Sequence, residues 1–250
     1  MNRRGFTLFE NLPAVTKNLI IINILFWLAT LVMTKIDLTG LLGLHYPASN
    51  DFRLYQIISY MFMHGGWDHI FFNMFALYMF GRVLESTWGP KRFLTYYMIT
   101  GIGAGLIQIL VTYIRMKGIV SLVDSETIAV VARDGLDLMK QGRQYADPLL
   151  RELNILINST TVGASGAIYG ILLAFGMLFP NVPLYIILIP IPIKAKYLVI
   201  IYGFIELFAG IANSQSDNIA HFAHLGGMLF GIYMVLYWRR KDKNNDRYLY

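Results

Sequence analysis

The chain has 250 residues, of which 56% are hydrophobic and only 14% charged, with a formal net charge of +6 at pH 7. That balance excludes an ordinary soluble domain, in which roughly a quarter of the residues are charged; too little polar surface remains, and lipid must cover part of the molecule. The absence of cysteine excludes disulfides, zinc–thiolate sites and a cysteine nucleophile, and the basic residues lie between apolar runs rather than in an aromatic-interleaved patch, which argues against nucleic acid.

A membrane-crossing helix needs ~20 mostly apolar residues, and six runs approach that length. The first, Val15–Met33, follows Arg3 and Arg4. No small-x-small cleavage site comes after it, only Thr34, Lys35, Ile36 and Asp37, so it is expected to be a retained helix rather than a signal peptide. The second run is Asp68–Leu84, with a polar entrance, and the third is Phe93–Ile114. Between the third and fourth runs lies the only sizeable soluble part, residues 116–160, in which Ile128–Leu138 and Pro148–Ile157 have the pattern of short amphipathic helices lying on the membrane surface. The fourth run, Ser165–Phe179, is short. Pro190 and Pro192 then interrupt the apolar stretch Leu184–Ile193. Proline removes a helical donor and clashes with the previous turn, so this stretch reads as an interfacial segment, a broken lead-in to the fifth helix, or an extension of the fourth. The fifth run is Tyr197–Ala212 and the sixth Ile219–Trp238. The expected fold class is therefore all-α: a polytopic membrane protein of six transmembrane helices, forming one domain over residues 1–250 with a cytoplasmic tail at 239–250.

Orientation follows from the lysines and arginines. With the N-terminus inside, Arg3, Arg4, Lys17, Arg82, Lys91, Arg92, Lys194, Lys196 and the basic residues from Arg239 onward all lie on the cytoplasmic side, and the short outer loops keep only Lys35 and Arg53. Both termini are then cytoplasmic, and every even-numbered helix begins on the outer side. The second begins near His64 and His69, the fourth near Gly163, Ser165 and Gly166, and the sixth near His221 and His224. Three polar clusters from distant parts of the chain thus enter one leaflet at similar depth. Ionisable residues in membrane segments are costly and are functional candidates by default, so the expectation is a polar cavity open to the outer aqueous side.

The residue types permit acyl-transfer chemistry there. Ser165 stands between Gly163 and Gly166 where a loop meets a helix; the glycines allow a tight turn, and a helix start offers unpaired N–H groups and a positive dipole end to an oxyanion. The same glycines, with Gly170, also read as a small-residue packing face. A serine hydroxyl needs a base, and histidine is suited to the task near neutral pH. Gly227 and Gly231, three and seven residues after His224, share its side of the helix and would admit a close neighbour, which favours His224 over His221 as the base. A lone helical histidine can equally be a packing residue. His69 and Asn73 are one turn apart on one face, and both can donate hydrogen bonds to an oxyanion. Such a pair could also bind zinc, but no third ligand is evidently placed with it.

On these residues the chain resembles the rhomboid family of intramembrane proteases. Gly163-Ala164-Ser165-Gly166 is similar to the family's G-x-S-G motif, Ala223-His224-Leu225-Gly226-Gly227 to its A-H-x-x-G motif, and His69–Asn73 to its H-x-x-x-N motif, with His64 at the usual upstream position. Tyr169, four residues after the serine, matches an aromatic that packs on the catalytic histidine in that family. Tyr55 and Gln56 stand where the family often carries a Trp-Arg pair, and the loop at 116–160 is longer than usual. The resemblance implies a six-helix rhomboid-like bundle and a Ser165–His224 dyad without an acid. It implies an oxyanion hole from His69, Asn73 and the Ser165 amide, with Gly163, Gly166, Tyr169, His64 and Gly227 in support. It implies no cofactor and no metal. The implied partners are the lipid bilayer and transmembrane protein substrates, cut near their extracytoplasmic end, and by analogy the location is a bacterial cytoplasmic membrane. Two rivals are a non-proteolytic binder of membrane clients, which would typically lack the serine or the histidine, and a transporter, which would be expected to show duplicated halves.

Overall fold

A computed structural model describes residues 12–186, 189–212 and 220–244. The first helix, α1 (Ala14–Val32), starts against a carboxylate from elsewhere in the chain: Glu85 accepts from Val15 N at 2.9 Å, Thr16 N at 2.7 Å and the Thr16 hydroxyl at 2.8 Å. The first N–H groups of a helix have no partner within it, and a carboxylate there also meets the positive end of the helix dipole. This is how Glu85 can be almost wholly buried.

After α1 the chain forms a loop with two short helices, α2 (Leu38–Leu42) and α3 (Gln56–Ser59), the latter running into a single 3₁₀ turn at Tyr60–Phe62. Buried Gln56 organises this loop. Its oxygen accepts from Arg53 N at 3.0 Å and His45 N at 3.4 Å, and its nitrogen donates to Asp51 O at 2.9 Å and Leu41 O at 3.2 Å. The Tyr55 hydroxyl also donates to Leu41 O, at 3.0 Å. The pair that departs from the family pattern therefore still anchors the loop, through an amide that can donate and accept at once.

The second long helix runs from Trp67 to Trp88 as α4 (Trp67–Ala76), a π-helical turn (Leu77–Gly81) and α5 (Arg82–Trp88). It is longer at both ends than Asp68–Leu84. After Gly89, with φ of 81°, Pro90 opens α6 (Pro90–Val120), in the first-turn position where proline's missing N–H costs nothing. At 1.5 Å per residue its 31 residues reach about 46 Å, well beyond a ~30 Å hydrocarbon core. It outruns the expected end at Ile114 because its last turns bury Met116 and Ile119 against the segment that follows.

That segment is α7 (Ser125–Lys140) and α8 (Pro148–Asn158), each opened by an aspartate side chain: Asp124 accepts from Thr127 N, and Asp147 from Leu149 N and Leu150 N. The two short helices expected within 116–160, at Ile128–Leu138 and Pro148–Ile157, are both present, the first longer at each end. They pack on each other through Val131, Leu153, Leu156 and Ile157, so they form a small cap with its own core instead of lying separately on a surface.

Helix α9 (Ser165–Leu178) sits in the middle of the bundle, and Gly166–Ile168 and Gly170–Gly176 are buried. A helix apolar on all sides belongs in a core. Next come two antiparallel strands, β1 (Pro183–Ile186) and β2 (Ile189–Lys194), with Pro183 opposite Lys194 and Tyr185 opposite Pro192. Residues 184–186 and 189–193 of the stretch Leu184–Ile193 are therefore strand rather than an extension of the fourth helix, and β2 leads directly into the helix that follows. The prolines deny this stretch a helix, and a two-stranded ribbon is all edge, where proline is tolerated. Helix α10 (Ala195–Ala212) follows, then α11 (His221–Asn244). The expected first residue of the sixth helix, Ile219, lies outside the described residues, as do Arg3, Arg4 and Arg247. Helix α11 continues through residues 239–244, so the expected tail begins as helix.

Helices α1, α6 and α10 are long and apolar enough to cross a membrane, and α9 is a shorter apolar helix. The molecule is an all-α polytopic membrane protein. Leu25, Phe71, Phe204 and Phe208 are among the large apolar side chains it leaves exposed, as a lipid-facing surface requires. At the end of the bundle away from Ser165, Arg92 pairs with Asp242 at 2.7 Å and lies 4.3 Å over the Trp238 ring, and Arg239 donates to Met177 O at the last turn of α9.

Candidate active site

Helices α9 and α11 meet through glycine. A β-carbon on Gly227 would collide with the Gly166 carbonyl, one on Gly170 would lie 3.1 Å from Gly227 O, and one on Gly231 would lie 3.4 Å from Gly170 Cα. Lipid tails are as apolar as leucine, so helices in a bilayer associate through close backbone packing, which small residues allow. Gly166, Gly170, Gly227 and Gly231 accordingly serve as a packing face. The Tyr96 hydroxyl closes the seam by donating to Gly170 O at 2.7 Å.

The close approach brings Ser165, first residue of α9, to His224, in the first turn of α11. The Ser165 Oγ to His224 Nε2 distance is 2.8 Å, although 59 residues separate them. His224 is 7% exposed, so this contact is largely shielded from water. The Tyr169 ring lies flat on the imidazole, with centroids 4.2 Å apart and planes 8° from parallel.

Gly163 holds the turn before the serine. Its φ of 129° is in the region that favours glycine, and its N–H donates to Tyr60 O at 2.9 Å. A methyl group there would sit 2.7 Å from His69 Nε2 and 3.4 Å from Ser165 Oγ. Gly163 thus leaves open a space bounded by both side chains. His69 Nδ1 accepts from Gly65 N at 3.3 Å, which leaves Nε2 as the protonated, donating nitrogen beside that space. The loop before Ser165 is further tied down by reciprocal backbone bonds between Leu44 and Thr161, both 2.9 Å.

His64 packs edge-on against His69, with centroids 5.0 Å apart, and among the described residues neither of its ring nitrogens makes a well-formed hydrogen bond. Burial, with the His69 ring second, pushes the His64 imidazole down to about 4, so it is neutral at physiological pH. Asn73 is buried on the His69 face of α4, where its amide donates to His69 O at 2.8 Å. One of its two amide protons is used there, within its own helix.

One residue of the cluster was not singled out from the sequence. Glu206, on α10, is 5% exposed, and its Oε2 lies 2.6 Å from His221 Nδ1 and 2.9 Å from His224 Nδ1. The approach to His221 is a hydrogen bond, whereas that to His224 is at an angle short of one. The other carboxylate oxygen accepts from the Tyr169 hydroxyl. The signal was present in the sequence as a lone carboxylate within the apolar run Ala195–Ala212. The Glu206 carboxylate and the two imidazoles lie close enough together to hold a metal ion; as placed they are joined through Oε2, 2.6 Å from His221 Nδ1 and 2.9 Å from His224 Nδ1.

A family model described as Rhomboid domain matches residues 51–241, most of the chain. Rhomboid-like protein 11, chloroplastic, of Arabidopsis thaliana is 39% identical over 57 residues, 23% of this chain and 20% of that protein. Rhomboid-like protein 16, chloroplastic, of the same plant is 24% identical over 197 residues, 78% of this chain and 52% of that protein. Rhomboid protease AarA of Providencia stuartii is 26% identical over 175 residues, 68% of this chain and 51% of that protein. The chain thus spans about half the length, or less, of these curated relatives.

Proposed function

The chain belongs to the rhomboid family, and from that premise we propose that it is an intramembrane serine endopeptidase. It cleaves transmembrane segments of membrane-protein substrates near their extracytoplasmic end. The observation that carries this reading is the 2.8 Å contact between Ser165 Oγ and His224 Nε2 at the start of a buried helix. A serine hydroxyl placed on an unprotonated imidazole nitrogen is an activated nucleophile.

The steps follow from the positions. A substrate segment enters from the bilayer and unwinds locally, because a carbonyl within a helix is not open to attack. His224 Nε2 takes the Ser165 proton as Oγ attacks the scissile carbonyl, and the oxyanion develops in the space that Gly163 leaves open. His69 Nε2–H, the free Asn73 amide proton and the Ser165 backbone N–H are its donors; preorganised donors of this kind are usually the largest single source of rate acceleration. His224 then returns the proton to the leaving amine, and water hydrolyses the acyl-enzyme by the same route in reverse.

The proposal extends to placement. The protein is an integral membrane protein, and we place it in a bacterial cytoplasmic membrane with both termini in the cytoplasm. Arg92, Lys196 and Arg239, at the end of the bundle away from Ser165, support that orientation under the positive-inside rule. The six helices and the α7–α8 cap then form one domain, with the cap on the extracytoplasmic side.

The test uses purified full-length protein in liposomes with a reporter transmembrane substrate, comparing wild type, wild type with EDTA, and Ser165→Ala. Cleavage that persists in EDTA and falls by at least ~1,000-fold in Ser165→Ala is expected. Ser165→Ala turnover at the wild-type rate sinks the assignment. A folded wild type that cleaves nothing but crosslinks to the reporter points instead to a client-binding role.

A further inference from the structure

We infer that Glu206 is a positioning residue for the proposed protease: its carboxylate holds the His224 imidazole so that Nδ1 carries the proton and Nε2 faces Ser165, extending the pair to a Ser165–His224–Glu206 relay across three helices. This rests on the function proposed above and deepens it, since the family resemblance implies a dyad alone.

The first argument is cost. Glu206 is the only acidic residue of α10, a membrane-spanning helix whose other faces expose Ile200, Phe204, Phe208 and Ile211. A carboxylate at such a position is expensive and marks function unless its partners explain it. Among the described residues its partners are all at the site. Oε1 takes the Tyr169 hydroxyl, and Oε2 meets the Nδ1 atoms of both His221 and His224.

The second argument is the tautomer. For Nε2 to accept the Ser165 proton it must be bare, so the ring proton belongs on Nδ1, and Glu206 Oε2 lies 2.9 Å from Nδ1. When Nε2 gains the proton, the imidazolium then stands beside an anion instead of apolar side chains. An acid plays this part towards the histidine in Ser-His-Asp enzymes, holding tautomer and orientation without itself taking the proton. The resting angle falls short of a hydrogen bond, but catalytic hydrogen bonds often tighten only once substrate is bound.

The third argument is that Tyr169 acts on both partners. Its ring lies flat on His224 while its hydroxyl grips the carboxylate that faces Nδ1. The imidazole is therefore fixed in plane by one contact and in tautomer by the other. A glutamate that merely docked α10 onto the bundle through His221 would not need this second tether.

The experiment compares wild type, Glu206→Gln and Glu206→Asp as full-length proteins in detergent, measuring kcat, KM and thermal unfolding, and reads the His224 tautomer by ring-nitrogen NMR. Glu206→Gln keeps the shape and loses the anion. It is expected to lower kcat by roughly 100-fold or more, with KM within about twofold, as fits a group acting in the transition state alone. Glu206→Asp keeps the charge and should recover at least ~10-fold of that loss. A Glu206→Gln variant with wild-type kcat, or one whose loss matches its unfolded fraction, overturns the inference. The NMR arm needs neither turnover nor a folded variant: wild-type His224 should carry its proton on Nδ1, and a proton on Nε2 overturns the inference as well. If wild type cleaves no substrate, the protease reading fails, and the His224 tautomer in wild type against Glu206→Gln then tests by itself whether the carboxylate holds the imidazole: an unchanged tautomer overturns that as well.

Discussion

The α9–α11 seam and the α7–α8 cap are both pairs of packed helices, and they are held by opposite means. The seam is lined by Gly166, Gly170, Gly227 and Gly231, and its backbones touch. The cap is filled by Val131, Leu153, Leu156 and Ile157, with aspartates at both helix starts. Lipid gives no reward for burying large apolar groups, so the seam depends on close van der Waals approach. Water gives that reward, so the cap separates apolar and polar faces in the usual way. Even glycine is used differently. In the seam it admits a second backbone, whereas Gly135 in the cap admits the side chains of Asn154 and Asn158, which hydrogen-bond across to α7. The candidate site stands on the seam, where the closely packed backbones hold Ser165 and His224 2.8 Å apart.

The comparison can be broken most severely at Gly227. Gly227→Val would drive a side chain into the Gly166 backbone and separate α9 from α11. Turnover of the reporter should fall by at least ~100-fold, because a misplacement of about 1 Å at a reacting centre already costs that much. The thermal unfolding midpoint should fall with it. Wild-type cleavage by this variant would show that the site does not depend on the seam.

Gly163→Ala sharpens the contrast by separating chemistry from packing. The backbone at φ of 129° is strained for alanine by ~1–3 kcal/mol, and the new methyl would enter the space beside His69 Nε2. Turnover should drop by about 10- to 100-fold while α9 and α11 remain packed. A loss of activity no larger than the loss of folded protein would argue against an oxyanion at that place.

The smallest effect on turnover is expected in the cap. Leu153 is fully buried, and Leu153→Ala should cost ~2–5 kcal/mol of local stability, read as faster proteolytic nicking within residues 121–160. Cleavage of a reporter should stay within about threefold of wild type, since Leu153 belongs to the cap's own core, separate from the helices that carry Ser165 and His224. A large loss of turnover here would instead tie the cap to the site.

Much of this was legible in the chain itself. The first, third and fifth apolar runs all became membrane-length helices, because lipid tolerates no unpaired backbone and so writes long apolar runs into a sequence. Ser165, His224, His69 and Gly163 stood out because polar groups and turn glycines are conspicuous in such a background. Other features were not visible. The extension of α6 to Val120 depends on a partner in α8, the strands at 183–186 and 189–194 depend on pairing with each other, and the anchoring role of Gln56 depends on four backbone groups that converge on it.

Glu206 marks the boundary most clearly. The sequence by itself determined that a carboxylate lies within an apolar helix, and that two histidines stand near the start of another. Only the tertiary structure decided that they meet. Successive helical residues point about 100° apart, so rotating α10 by one position would turn Glu206 away from the bundle. That rotation is set by how α10 packs against α9 and α11, a long-range fit that no local pattern in the chain can encode.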